Sequence, residues 1–399
     1  MSGSGGRTVR PCGPAGVCVS SALALPVLVP VLLSLPLPGW APTQDPPASR
    51  SPGAREDRDL QALLDAAREE AGAPALGCAV LLPGDEVQIA VNGARLAGEA
   101  SPVTAEDPWH WGSVTKSITA TLAARLVESE VVDWDDTVGK WLGDTVKGMN
   151  PAYESATIRQ FLAHRSGQPA NIPMARFREF GQSPEDPIAD RLAWVEIALS
   201  QEPLGAPGES FAYSNNGYII VGAMLEAATG TSWEALVRRE VFIPLKLSGA
   251  GFGAPAGEAP RGHTRGADGT DAPVPPDSDN PGALGPAGRV HMPLGDMILY
   301  LSAHAREEPE YLGSESWTVL HTPAPGGRYA LGWVRNAEET CWHNGSNTMW
   351  YAEVAFSLDT GTVAAVVAND GDMGAVRPVL SRLISDLMGS GPGNSKSSR

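Results

Sequence analysis

Apolar and polar positions alternate along the chain in patterns that predict a protein with both helices and strands. Residues 58–71 carry leucines and alanine at the spacing of an amphipathic helix, which stops at Gly72. Apolar runs at residues 75–82 and 86–92 flank the turn residues 83–85, which predicts a β-hairpin. The chain therefore begins its fold with one helix and two strands.

The middle of the chain predicts mainly helices, and its end predicts strands. One helix is expected from residue 113 to about residue 130, an apolar helix at residues 219–228 ends at Gly230, and another follows at residues 232–241. The late apolar runs predict strands at residues 330–334, 340–343, 350–357 and 362–368, followed by a helix at residues 377–388. Strands at both ends with helices between them imply one sheet built from both termini.

Residues 249–288 are rich in Gly, Pro and Asp and show no hydrophobic periodicity. This composition predicts a long loop, and long loops in compact enzymes are often functional or mobile. Together with residues 171–190, this loop is expected to shape a binding pocket. Neither segment identifies a substrate.

The N-terminal pattern is typical of protein export. No charged residue lies between Arg10 and Asp45, and the apolar run at residues 15–39 follows two arginines, with a candidate cleavage position after Ala41. The run is long enough to span a bilayer, so an uncleaved membrane anchor is the alternative. We expect a protein located outside the cytoplasm, divided as follows: signal peptide or anchor, 1–41; flexible linker, 42–57; folded domain, 58–388; disordered tail, 389–399.

Charge and cysteine content exclude several functions. The formal net charge is −17, and removal of residues 1–41 takes away two arginines and no acids, which makes it −19. We do not expect a protein with this large negative charge to bind nucleic acid. Only Cys78 and Cys341 lie beyond the export segment, with no zinc-site spacing, so we predict neither a metal nor a cofactor. From sequence alone, these two cysteines could form a disulfide or be buried thiols.

A serine three residues before a lysine, at a predicted helix start, is the strongest chemical signal. Residues three apart share a helix face, so Ser113 and Lys116 can reach each other. A serine hydroxyl needs a nearby base to become a good nucleophile. A lysine can lose its proton when it is buried, whereas an arginine cannot. Alone, this motif is common and needs partners.

Two further motifs supply those partners in order: Tyr213-Ser214-Asn215 and His343-Asn344-Gly345. With residues 113–116, and with supporting stretches at 161–167 and 329–333, the chain resembles the penicillin-recognising serine hydrolases. Within that family it is most similar to the branch of class C β-lactamases, serine DD-peptidases and related esterases. The resemblance implies an α+β fold, in which an antiparallel sheet from both chain ends is flanked by helices and joined by a mostly helical lobe.

The resemblance implies a role for each matching residue. Ser113 would attack a carbonyl and form an acyl-enzyme, while Lys116 and Tyr213 would share the proton transfers, with the lysine charge favouring a tyrosinate. The backbone amides of Ser113 and Ser346 would form the oxyanion hole, with Gly345 allowing close approach. The residues expected to contact substrate are Asn215, which could also bond Lys116; His343, which could also bond the Tyr213 hydroxyl; Asn344; and Gly345.

These roles predict an exported serine hydrolase acting on a peptide, ester or amide. The alternatives are a class C-like β-lactamase and a non-catalytic binding protein with the same fold. Fast β-lactamases of this branch carry a lysine where this chain has His343, so we expect poor penicillin turnover. The fold that the resemblance implies also places other strands between Cys78 and Cys341, which predicts two free thiols.

Overall fold

The computed structural model describes residues 59–266, 269–336 and 339–389. The predicted export segment and linker, and all of the predicted tail except its first residue, lie outside these residues. In the described part of the chain, no helix combines the length and the apolar character needed to cross a bilayer.

The first helix confirms the sequence prediction at both ends. The side chain of Asp59 accepts a hydrogen bond from the Ala62 amide, and Gly72 ends the helix in the left-handed conformation, with φ of 64°. The α-helices of the described residues are α1 (Leu60–Ala71), α2 (Thr115–Glu128), α3 (Val138–Leu142), α4 (Ile158–Leu162), α5 (Met174–Phe177), α6 (Pro187–Ser200), α7 (Asn215–Thr229), α8 (Trp233–Val237), α9 (Gly285–Gly288), α10 (Leu294–Ala305), α11 (Ser314–His321) and α12 (Val376–Leu387).

The main sheet is built from both ends of the chain, as predicted. The strands of the described residues are β1 (Ala75–Leu81), β2 (Gln88–Gly93), β3 (Pro108–His110), β4 (Gly251–Phe252), β5 (His263–Arg265), β6 (Asp271–Pro273), β7 (Val290–Pro293), β8 (Val334–Arg335), β9 (Thr340–Ser346), β10 (Tyr351–Ser357) and β11 (Val363–Ala368). Six of them form an antiparallel sheet in the order β2-β1-β11-β10-β9-β8. Smaller sheets are β3-β7-β4 and β5-β6.

The main sheet separates two hydrophobic cores. Alternate side chains of β1 point to opposite faces, so Cys78 packs in the core shared with α1 and α12, while Ala79 packs in the larger core. The larger core also contains the central helix α2 and the apolar helix α7. An α+β fold with helices on both sides of an antiparallel sheet is therefore confirmed.

Both described cysteines are free and buried. Cys78 lies on β1 and Cys341 on β9, with β11 and β10 between them in the sheet. Strands lie about 4.8 Å apart, so this separation exceeds the reach of a disulfide. Burial also raises the pKa of both thiols to about 12. The prediction of two free thiols is confirmed.

Tertiary contacts changed the predicted elements in two places. The predicted loop at residues 249–288 contains β4, β5 and β6 and ends in a 3-10 turn and α9. Its backbone bonds residues that are distant in sequence, since the amide of Gly253 donates to the Arg289 carbonyl at 2.7 Å and that of His263 to the Met349 carbonyl at 3.0 Å. The predicted strand at 330–334 shrinks to β8. Local hydrophobic pattern carries no signal for such long-range pairings.

The helices around the predicted motifs also differ in detail. The predicted helix at residue 113 begins with a 3-10 turn, Gly112–Val114, before α2. Helix α7 starts earlier than its apolar pattern because Ser214 caps it, accepting a hydrogen bond from the Gly217 amide at 3.1 Å. The predicted helix at 232–241 is α8 followed by a π-helical turn, Arg238–Phe242.

Candidate active site

Ser113 lies in the short 3-10 turn that precedes α2. Trp111 anchors this turn: its indole nitrogen donates to the Met292 carbonyl at 2.9 Å, and its amide donates to the Val290 carbonyl at 3.0 Å. Gly112 then takes a positive φ of 50°, which a residue without Cβ adopts most easily. The turn thus holds Ser113, which is partly exposed, at the start of a largely buried helix.

Lys116 lies beside Ser113, as the spacing predicted. Its Nζ is 2.9 Å from the Ser113 Oγ and 2.7 Å from the Ala287 carbonyl oxygen, to which it donates. The side chain is completely buried, and burial lowers the pKa of Lys116 well below its usual value. The neutral amine is thereby favoured, and only this form can take a proton from the serine.

Tyr213 completes the group from the segment that enters α7. Its ring centroid lies 5.0 Å from the Lys116 Nζ, and its side chain is hydrogen-bonded to that of Ser113. Burial raises the pKa of Tyr213, and the Ser113 bond opposes this rise only in part. The resting site therefore favours a protonated tyrosine beside a neutral lysine. This differs from the expected tyrosinate, because desolvation disfavours both charged forms.

Strand β9 packs closely against the 3-10 turn that carries Ser113, called here the serine turn. A glycine lies on each side of this contact, Gly345 in β9 and Gly112 in the turn. A Cβ added to Gly345 would lie 2.0 Å from the Trp111 carbonyl oxygen and 2.6 Å from the Ser113 amide nitrogen. A Cβ added to Gly112 would lie 2.4 Å from the Ser346 amide nitrogen. The structure therefore brings together the two amides predicted to form the oxyanion hole, and no larger residue fits at either glycine.

His343 is buried in β9, where its two ring nitrogens contact protein oxygens other than the expected Tyr213 hydroxyl. Its Nε2 is 3.0 Å from the Tyr329 hydroxyl, and its Nδ1 is 2.6 Å from the Asn344 carbonyl oxygen. Burial, together with the nearby Lys116, lowers the pKa of His343 to about 3. A neutral imidazole with a hydrogen-bond partner at each nitrogen is not a fixed cation for a substrate carboxylate.

Two residues predicted to contact substrate bond other side chains of the protein. The Asn215 carboxamide donates to Asn171 Oδ1 at 2.9 Å, which links it to the segment at residues 171–190 instead of Lys116. The Asn344 carboxamide donates to the Tyr351 hydroxyl at 3.3 Å. Because neighbouring side chains of a strand alternate, Asn344 faces the α12 side of the sheet, away from His343. The structure does not bring the Asn344 side chain to the site.

Tyr329 and His164 are the site neighbours that received no functional role from sequence. His164 is buried, with its ring centroid 4.3 Å from that of Tyr213 and 4.6 Å from that of Tyr329. Its Nδ1 accepts the Ser214 amide at 3.1 Å, which fixes the segment carrying Tyr213. Both residues lie in stretches that supported the resemblance, at residues 161–167 and 329–333. Their position in these two stretches was the feature of the sequence that could have identified them as site residues.

Comparison with known proteins agrees with this geometry. The β-lactamase family matches residues 60–388. Penicillin-binding protein 4 of Amycolatopsis lactamdurans is 26% identical over 333 residues, which cover 78% of this chain and 84% of that protein. The next curated relative, penicillin-binding protein 4* of Bacillus subtilis (strain 168), is 28% identical, but the match covers only 32% of its length.

Solved structures show the same fold. The octameric penicillin-binding protein homologue from Pyrococcus abyssi superposes with a TM-score of 0.69 at 22% identity, covering 84% of this chain and 77% of that one. The D-amino acid amidase of Ochrobactrum anthropi SV3, solved with L-phenylalanine amide, gives 0.68 at 20% identity, covering 83% of this chain and 97% of that one. The family match extends over nearly all of the described residues, and the chain therefore belongs to the β-lactamase family of serine hydrolases.

Proposed function

We propose that this protein is an exported acyl hydrolase that forms an acyl-enzyme on Ser113 and cleaves a peptide, ester or amide. The main observation that supports this proposal is the position of the Lys116 amine, which is completely buried and 2.9 Å from the Ser113 hydroxyl. A desolvated amine at this distance is a suitable general base for the serine. The names of its relatives, penicillin-binding proteins and an amidase, support acyl transfer at an amide-like bond.

The proposed reaction has two stages. In the first, Ser113 Oγ bonds to the substrate carbonyl carbon as Lys116 takes the hydroxyl proton, and the resulting oxyanion accepts bonds from the Ser113 and Ser346 amides. The intermediate expels the leaving group, which takes a proton from the Lys116–Tyr213 pair. In the second stage, water adds to the acyl carbon with the same proton transfers, and the acid and the free serine are released.

Intact mass after reaction with a fluorophosphonate tests the nucleophile. We expect one adduct per chain in the wild type and none in Ser113→Ala, because the substitution removes the attacking oxygen and little packing. Ser129→Ala is the matched control, since Ser129 ends the same helix α2 and bonds the Arg125 carbonyl. An unlabelled wild type would favour a non-catalytic binding protein, and labelling of Ser113→Ala would disprove the assignment.

A class C-like β-lactamase is the second candidate, favoured by the family that matches the chain. We expect slow turnover, since every penicillin carries a carboxylate and the neutral His343 offers it no permanent charge. The measurement is hydrolysis of nitrocefin beside p-nitrophenyl butyrate, for the wild type and for His343→Lys. Nitrocefin turnover faster than ester turnover by the wild type would make the β-lactamase the better assignment.

Export is proposed from residues 1–41 alone, whose charge pattern is typical of a signal or an anchor. Expression of the full chain in a bacterial host, followed by fractionation and N-terminal mass analysis, tests it. Cleavage after Ala41 leaves Pro42 as the first residue of an exported protein. A membrane fraction that keeps the intact N terminus supports the anchor, and an intact cytoplasmic protein contradicts export.

A further inference from the structure

A buried carboxylate joins the two sides of the proposed oxyanion hole. Asp279 lies in the segment predicted to be a loop, yet its side chain has no exposed surface. It accepts hydrogen bonds from Arg289 Nε at 3.2 Å, Asn347 Nδ2 at 2.9 Å and the Asn280 amide at 2.7 Å, and it contacts His110 Nε2 at 3.2 Å. Although burial opposes ionisation, the contacts with His110, Arg289 and Asn347 hold the pKa of Asp279 well below its usual range. Asp279 is therefore a permanent anion.

His110 connects this anion to the serine turn. Its Nδ1 accepts a hydrogen bond from the Gly112 amide at 3.1 Å, so Nδ1 carries no proton and the ring proton lies on Nε2, facing Asp279. The ring is buried and stacks on Trp350, with centroids 5.4 Å apart. His110 thus fixes the amide of the residue that precedes Ser113.

Asn347 connects the same anion to strand β9. It follows Ser346 directly and is buried. While its Nδ2 donates to Asp279, its Oδ1 accepts the amides of Met349 and Trp350, each at 3.2 Å. The carboxamide therefore ties the end of β9 to the start of β10, one residue beyond the second proposed oxyanion donor.

The segment that carries Asp279 also holds the base. Ala287, eight residues later, accepts from Lys116 at 2.7 Å, and Pro286 accepts from the Thr119 hydroxyl at 2.7 Å. Gln182, in the segment expected to shape the pocket, donates to the Asp279 carbonyl at 2.9 Å. One stretch of chain thus contacts the proposed base, the serine turn and the pocket segment.

We propose that Asp279 and His110 are positioning residues that set the geometry of the oxyanion hole, and this inference rests on the proposed function. Asp279 fixes the tautomer and orientation of His110, and His110 then holds the Gly112 amide, so that the amide of Ser113 faces that of Ser346. Neither residue touches the substrate. Their effect is on transition-state stabilisation, because hydrogen-bond donors in an oxyanion hole act only when they are correctly placed.

Two substitutions of His110 separate its two hydrogen bonds. The oxygen of Asn in His110→Asn can take the place of Nδ1 and accept from Gly112, whereas the nitrogen of Gln in His110→Gln can take the place of Nε2 and donate to Asp279. We expect His110→Gln to lower kcat for p-nitrophenyl butyrate about 100-fold with little change in KM, which is the effect of a displaced oxyanion donor. His110→Asn should lose less than about 10-fold, even though it breaks the bond to the buried anion and lowers Tm.

Two further measurements complete the test: inhibition by a mimic of the transition state, and substitution of Asp279 with a second buried aspartate as the control. Phenylboronic acid forms a tetrahedral serine adduct, so its inhibition constant should rise in parallel with the loss of kcat. Asp279→Asn should lower kcat about 10-fold at constant KM, because a carboxamide cannot accept from all these donors. Asp370→Asn is the control, since Asp370 is also fully buried and accepts from Arg265, at 3.0 Å, and its loss should lower Tm without selective loss of kcat.

Each outcome decides the inference. Equal losses of kcat in His110→Asn and His110→Gln would show that His110 acts only through packing, which would overturn the inference. A larger loss in His110→Asn than in His110→Gln would also overturn the inference. An unchanged kcat in Asp279→Asn would remove Asp279 from the assignment. An unreactive wild type would instead disprove the proposed function, so the two failures are distinguishable.

Discussion

Replacing Gly345 by alanine should disable the site through a single methyl group. Gly345 has an ordinary backbone conformation, so the substitution introduces no backbone strain of its own and tests only the available space. Its new Cβ would lie 2.0 Å from the Trp111 carbonyl oxygen and 2.6 Å from the Ser113 amide nitrogen, and both are backbone atoms that cannot rotate away. Strand β9 and the serine turn must therefore separate.

The required shift is large on the scale of catalysis. Relief of the Trp111 contact to an ordinary van der Waals distance moves the two backbones apart by about 1 Å or more. A displacement of about 1 Å costs roughly 100-fold in rate, and loss of one oxyanion donor costs about 100- to 1,000-fold. We therefore expect kcat to fall at least about 100-fold, with a decrease in Tm from the disturbed packing.

Hydrolysis of p-nitrophenyl butyrate, with Tm from circular dichroism, measures both effects. Gly295→Ala is the control: it lies in α10, and its Cβ would meet only the Ile89 Cδ1 at an ordinary 3.8 Å. This variant should keep full activity and be equally stable or more stable, since alanine favours helix. A Gly345→Ala protein that folds and keeps activity within about threefold of wild type would refute the close contact as the basis of the oxyanion hole.

Three other predictions concern single groups. Lys116→Arg should lose nearly as much esterase activity as Lys116→Ala, because a guanidinium cannot act as the base; retention of most activity would make the lysine only a positive anchor. Thiol titration of the mature chain in denaturant without reductant should count two groups, Cys78 and Cys341, and a count near zero would contradict the sheet order. Burial lowers the pKa of His164 and His304, so the unfolded chain binds more protons at these residues below about pH 6.5, and each should lower stability at pH 5.5 by about 1 kcal/mol. Urea unfolding at pH 7.5 and 5.5 should therefore show a more favourable change on acidification for His304→Gln than for the wild type, and an equal change would contradict the prediction.

Sequence predicted much of the fold where the signal was local. Helix α1, the hairpin of β1 and β2, the late strands β9, β10 and β11 and the final helix follow their apolar periodicity to within a few residues. The elements that it missed, such as β5 and β6 within the predicted loop, are short and depend on distant backbone partners. A two- or three-residue strand is too short to carry a period.

The order and spacing of the three motifs were enough by themselves to determine the family and the fold class. The pairing of Ser113 with Lys116 could also be predicted, because residues three apart at a helix start lie close together. Tertiary structure alone decided the charge states and partners. Burial lowers the pKa of Lys116, His343 bonds Tyr329, and Asp279 bonds Asn347, 68 residues away. Such properties depend on which distant segments exclude water from a group, and no pattern of neighbouring residues contains that information.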